Sequence, residues 1–161
     1  MIAQDVLPEI VALLLGPAYS SDSASDSIHF TRPTLMLGFV RRAFGNRGEK
    51  AAAKFLKKAG MRILARQYET RWGEIDLICL DGDTIVFVEV KTGRAGTPGE
   101  RVDAKKRRNL TQAALAWLKK NNLLEHRCRF DVVAVVWEDD SKVPVITHEP
   151  SAFEAVDFGM H

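Results

Sequence analysis

Hydrophobic and polar positions change period several times along the chain, and each change marks an element. From Asn46 the apolar residues Ala51, Ala52, Phe55, Leu56 and Ala59 recur at helical spacing. They predict a helix opened by Asn46, with Glu49 three residues on as in a capping box, and closed by Gly60. Met61 to Tyr68 reads as a strand and Glu69 to Gly73 as the turn after it. Two β-branched, apolar runs follow, Ile75 to Ile78 and Ile85 to Val90, separated by Asp81-Gly82-Asp83, a tight-turn signal. Both runs are apolar on both faces, which predicts central strands. Asp103 caps a second long helix reaching about Asn121, with Leu110, Ala113, Ala114, Trp117 and Leu118 on its buried face. Phe130 to Trp137 reads as another buried strand, Val143 to His148 as a short final one, and Ser151 to Val156 as one turn of helix. The order is helix, three strands, helix, two strands, which predicts an α/β fold with a central mixed β-sheet flanked by helices.

Residues 1–35 differ from the rest. Val6 to Leu15 is apolar but carries Pro8 and Glu9, follows no basic residue, and is too short to span a bilayer, so no membrane partner is expected. Ser20 to Ser27 is a Ser/Asp tract, disordered by composition. Residues 1–35 are therefore expected to form a variable, partly disordered extension, with Met36 a second candidate start, and residues 36–161 a single domain without repeats. The 46% hydrophobic and 27% charged content fits one soluble globular domain with a sizeable core. A net charge of only +2 means that any basic surface is local. Cys79 and Cys128 fall in expected strands as small buried hydrophobes, and the four histidines have no zinc-site spacing.

Against this apolar background Asp76, Glu89 and Lys91 stand out, since charges in buried strands are costly unless paired or bound to a cation. Glu89 and Lys91 share one face of their strand, as Glu74 and Asp76 do of theirs. If Gly82-Asp83 forms a two-residue turn, the numbers of cross-strand partners sum to 165. Asp76 then faces Glu89 and Glu74 faces Lys91, with Cβ atoms roughly 4.5–5.5 Å apart. A three-residue turn would shift this register. Two carboxylates that close repel unless a divalent cation lies between them or one stays protonated. Mg²⁺ (or Mn²⁺) needs only one or two carboxylates, so Asp76 and Glu89 with the Val90 carbonyl are the candidate ligands. Lys91 would orient the attacking water or stabilise developing negative charge. The plainer alternative is a structural ion pair of Lys91 with Glu74 or Glu89.

Glu49 has two readings, the capping box or a further carboxylate at the same centre. Lys105, Lys106, Arg107 and Arg108 stand at a helix start, where cations oppose the macrodipole; nucleic-acid phosphate there would resolve the conflict. Asp103 and Glu100 are the local alternative, and Arg41, Arg42 and Arg47 either extend the patch or are ordinary surface charge. Asp131 reads as an anchor for a loop or helix, and Trp72 and Trp117 as core. No nucleophile elbow and no phosphate-binding Gly-rich loop is present in the sequence.

Over roughly Asn46 to Phe153 the chain resembles the YraN family of small bacterial proteins, expected nucleases with a restriction-endonuclease-like fold similar to archaeal Holliday-junction resolvases. The resemblance rests on Gly48-Glu49, Gly73-Glu74-Ile75-Asp76-Leu77-Ile78, Phe87-Val88-Glu89-Val90-Lys91-Thr92, the basic helix start, Arg129-Phe130-Asp131-Val132-Val133 and Ala152-Phe153. It implies Asp76, Glu89 and Lys91 as catalytic residues, Glu49 as an auxiliary acid, Mg²⁺ or Mn²⁺ as metal, and DNA as substrate, including branched or damaged forms. Nucleic-acid contacts are expected from Lys105, Lys106, Arg107, Arg108 and Arg94. A cytoplasmic location and a homodimer belong to the same expectation. Two departures bear on backbone contacts: Gln67-Tyr68-Glu69 stands where the family has Asn-aromatic-Arg, and Gly93 intervenes before Arg94. Fold and activity are separable, so a non-catalytic nucleic-acid-binding module is the rival reading. An interaction protein recruiting through residues 1–35 is a third.

Overall fold

The computed structural model describes residues 35–94, 102–138 and 142–157. The expected extension up to residue 34, the loop around Glu100 and the side chains of Arg41, Arg42 and Arg94 lie outside this description. Helix α1 (Leu35–Lys58) leads into strands β1 (Arg62–Thr70), β2 (Gly73–Asp81) and β3 (Thr84–Arg94). Helix α2 (Ala104–Lys120) then crosses to β4 (Cys128–Trp137) and β5 (Val145–Phe153). The sheet order follows the sequence, β1-β2-β3-β4-β5, antiparallel except between β3 and β4. It is the mixed α/β sheet expected, compatible with a restriction-endonuclease-like core.

Each sheet face carries one helix. Leu110, Ala113, Ala114, Trp117 and Leu118 of α2 pack with Ile78, Phe87 and Phe130 on one face. Ala52, Ala53 and Leu56 of α1 pack with Leu77, Val88, Val133 and Val135 on the other. Since β2 and β3 are sandwiched between these clusters, their runs are apolar on both sides. The hairpin takes the tight-turn register: Asp81 pairs with Thr84, Leu80 with Ile85 and Leu77 with Val88. Gly82 makes this turn at φ 59, in the left-handed region that a side chain disfavours.

Two element boundaries and the burial of one cysteine differ from the sequence reading. Helix α1 runs unbroken through Asn46, so that residue is not its cap and Glu49 belongs to no capping box. Asn costs a helix only a few tenths of a kcal/mol, too little to set an end against tertiary packing. Its C-terminus is as expected: Met61 N–H bonds back to the Leu56 carbonyl around Gly60 at φ 95. Residues 151–153 are strand, not helix, because Phe153 stacks on Phe130 in the core and Ser151 N–H bonds to Asp131. Cys128 is exposed at the start of β4, whereas Cys79 is buried as expected.

Candidate active site

The antiparallel ladder of β2 and β3 stops at Leu77 and Val88, one pair short of Asp76 and Glu89. Beyond that point the strands form a fork: β3 stays paired with β4 through Arg94, and Asp76 turns its carboxylate into the gap. Val90 N–H donates to Asp76 Oδ2 at 2.6 Å. A strand residue directs its N–H and C=O to the same side, so the Val90 carbonyl also faces the fork. By alternation Asp76 and Glu89 share the α2 face with Ile78 and Phe87. The opposition expected between Asp76 and Glu89 is thus relaxed into an offset, with a backbone amide between.

Glu89 is only 5% exposed. Lys91 Nζ lies 3.3 Å from its Oε1 and Lys106 Nζ 3.1 Å from its Oε2. The second contact is an ion pair by distance but lacks hydrogen-bond geometry, which leaves buried Oε2 short of a bonded donor. Asp76 has no such partner at salt-bridge distance among the described residues. Burial, reinforced by the charge of Glu89, pushes its pKa up to about 7, against the pull of the Val90 amide. The residue keeps one side open to solvent, yet its carboxylate is largely desolvated. Asp76 is thus left desolvated beside Glu89 without a cation of its own among the described residues, an arrangement a divalent cation would stabilise.

Glu49, on α1, reaches the same neighbourhood. Burial and the nearby Glu74 raise its pKa, while a hydrogen bond with Gln67 and the charge of Arg66 draw it down. Gln67 is the surprise: it adopts φ 48 inside β1, and the pairing of Arg66 with Leu77 and Tyr68 with Ile75 skips it. It stands where a partner for Asp76 belongs, and non-glycine residues held in this left-handed region cluster at functional sites. Nothing in the apolar pattern of β1 signals that conformation.

Helix α1 approaches β3 closely through Gly48. A Cβ there would lie 1.8 Å from Thr92 Cγ2, so the glycine sets how near Glu49 comes to the fork. Gly48→Ala should destabilise the protein by about 1–3 kcal/mol despite alanine's higher helix propensity. Thr92→Ser in the same chain should restore most of the loss, because it removes the methyl. A urea double-mutant cycle measures both; additive losses would show that the contact is not the cause.

The basic helix start divides. Asp103 Oδ1 accepts from Lys106 N–H at 2.7 Å and caps α2. Lys106 reaches Glu89, while Arg107 donates to the Val102 carbonyl and lies over the Phe153 ring. Lys105 and Arg108 are exposed, with no ion pair among the described residues. Their conflict with the helix dipole was the one sequence signal that something anionic lay nearby, and for Lys106 that group is internal. Arg47 lies 4.8 Å over the Trp137 ring. Trp117 is core as expected; Trp72 is only half-buried in the β1–β2 turn, stacked under Arg71 at 4.2 Å.

Asp131 is an anchor, at 0% exposure on the α1 face. It accepts from Arg129 at 3.0 Å, from Ser151 N–H at 2.9 Å, and meets His148 Nε2 at 2.8 Å. Arg129 also bonds to Asp81 at 2.8 Å. No three His, Cys, Asp or Glu groups among the described residues form a ready-made metal cage. What the fork offers is two carboxylates and a carbonyl, the sparse oxygen set that suits Mg²⁺ better than zinc.

The sequence profile of a family described as "Uncharacterised protein family UPF0102" matches residues 48–135, a span holding Glu49, Asp76, Glu89, Lys91 and Asp131. A UPF0102 protein of Rhodopirellula baltica is 49% identical over 118 residues, covering 70% of this chain and 71% of that protein. A UPF0102 protein of Trichlorobacter lovleyi is 43% identical over 123 residues, 74% of this chain and 96% of the relative. One from Pelotomaculum thermopropionicum is 40% identical over 117 residues, 71% and 98% of the two chains. No helix among the described residues is long and apolar enough to cross a membrane.

Proposed function

The chain belongs to the UPF0102 family, also called YraN, and from the forked hairpin we propose that it is a metal-dependent endonuclease hydrolysing DNA phosphodiester bonds. The observation that carries this reading is the pair Asp76 and Glu89, enclosed on one sheet face, with Asp76 raised to about 7 and lacking a cationic partner at salt-bridge distance. Asp76, Glu89 and the Val90 carbonyl would hold Mg²⁺ or Mn²⁺, with Glu49 available from α1. Such an ion, when bound, polarises a phosphodiester and lowers the pKa of a water. Lys91 then has a definite task. Its Nζ, held 3.3 Å from Glu89, is positioned to orient the water or offset charge growing on the phosphate oxygens. Lys106 Nζ, 3.1 Å from the other oxygen of Glu89, helps to hold that carboxylate in place. Exposed Lys105 and Arg108 flank the site as phosphate contacts.

The same ion pairs favour a second reading. Lys91 and Lys106 already compensate Glu89, which is what a non-catalytic nucleic-acid-binding module of this fold would retain. Cleavage of labelled duplex, flap and four-way-junction DNA with Mg²⁺ or Mn²⁺ decides between them. The wild type should nick at least one substrate, and Lys91→Ala should fall by roughly 10²–10³ while still binding it. Binding without any nicking would favour the module.

A further inference from the structure

Away from the α2 patch the sequence singled out, Lys50, Lys54, Lys57 and Lys58 of α1 and Arg66 of β1 line one concave surface. All five are exposed, and among the described residues none lies within ion-pair distance of a carboxylate. Lys57 and Lys58 occupy the last turn of α1, where the macrodipole favours cations. That account does not extend to Lys50 and Lys54, one to two turns upstream, or to Arg66 on another element. Like charges at i and i+4 repel, as Lys50 with Lys54 and Lys54 with Lys58 do here, so a stripe of this kind is unfavourable until an anion lies along it.

The stripe begins beside the fork. Lys50 follows Glu49, Arg66 precedes Gln67, and the Arg66 charge is felt at Glu49. Lys50 to Lys57 covers about 10 Å of helix at roughly 1.5 Å per residue. That matches about three steps of a stacked strand at roughly 3.4 Å each. Because α1 and α2 cover opposite sheet faces, the stripe and the Lys105/Arg108 patch approach the fork from different sides.

We propose that Lys50, Lys54, Lys57 and Arg66 form a second phosphate-binding tract, which grips the nucleic-acid backbone running away from the fork on the α1 side. This rests on the nuclease reading only for the choice of ligand. The test is binding of fluorescent single-stranded and duplex oligonucleotides in EDTA across a salt series. The wild type is compared with Lys50→Gln/Lys54→Gln/Lys57→Gln and with a charge-matched control, Lys119→Gln/Lys120→Gln/Lys142→Gln. All six lysines are exposed, and circular dichroism checks the folds.

Each lost phosphate contact should reduce the slope of log K against log salt by about 0.7–0.9. The α1 variant should lose about 2 units of slope and at least tenfold in affinity at moderate salt, and the control less than 0.5 units. Equal losses in both variants, or in neither, overturn the tract, as does a wild type that binds no oligonucleotide. Binding that depends on α1 without nicking in Mg²⁺ or Mn²⁺ upholds the tract while the hydrolase reading fails. Undiminished binding and nicking by the α1 variant does the reverse.

Discussion

Asp76→Asn should make the metal-free protein more stable at pH 8 while abolishing divalent-cation binding and DNA cleavage. The wild-type carboxyl has a folded-state pKa of about 7, above the unfolded value near 3.9. The folded protein therefore holds a proton that the unfolded chain has released between those values. The stability this group contributes is fully present below about pH 4 and is lost as pH rises through 7. A neutral Asn keeps an oxygen for the Val90 amide and escapes the repulsion of Glu89. The gain at pH 8 should be on the order of 2–4 kcal/mol, shrinking towards zero near pH 4. Urea unfolding at both pH values measures it. Mn²⁺ should then stabilise the wild type and leave the variant unmoved, with wild-type affinity rising from pH 6 to 8 as the proton is displaced. A variant less stable than wild type at pH 8, or one still stabilised by Mn²⁺, would falsify the fork as a metal centre.

The largest loss of stability should come from Asp131→Ala. The change leaves Ser151 N–H without its acceptor, removes the partner of His148 and leaves Arg129 only Asp81, all beside a new void. Breaking a buried, hydrogen-bonded ion pair from one side costs about 3–5 kcal/mol. The expected signature is a lower urea midpoint with an unchanged slope. A loss below 1 kcal/mol would mean that the network is incidental. Asp131→Asn should fall between, since it keeps an acceptor for Ser151 but not the charge facing Arg129.

Much of the sheet was readable before the structure because its signals are local. Asp81-Gly82-Asp83 signals a tight turn, and the two-residue form it takes sets the register down to Leu77 and Val88. Doubly apolar runs placed β2 and β3 at the centre, and Asp103 gave the start of α2. Local signals also misled. Asn46 with Glu49 imitates a helix start inside α1, and Ser151 to Val156 reads as a turn of helix although Asp131, far back in the sequence, holds Ser151 in β5. The candidate site was legible as charged residues opposed across an apolar hairpin, but not as the offset fork that replaces that opposition. The fork depends on where a ladder stops, the Lys106 contact on a helix crossing the sheet, and the left-handed Gln67 on tertiary packing. Periodicity carries none of these.

The two outermost strands share a property with a bearing on assembly. Strand β1 slips register between Ile63 and Ala65 and turns left-handed at Gln67; β5 slips opposite Phe130 to Val132 and carries Pro150 and the left-handed Ser151. Neither rim offers the long, flat row of unpaired amides and carbonyls that a docking strand templates on. Growth of the sheet by capturing a neighbour's strand is thereby discouraged at both ends, and any pairing of two copies is directed towards helical surface.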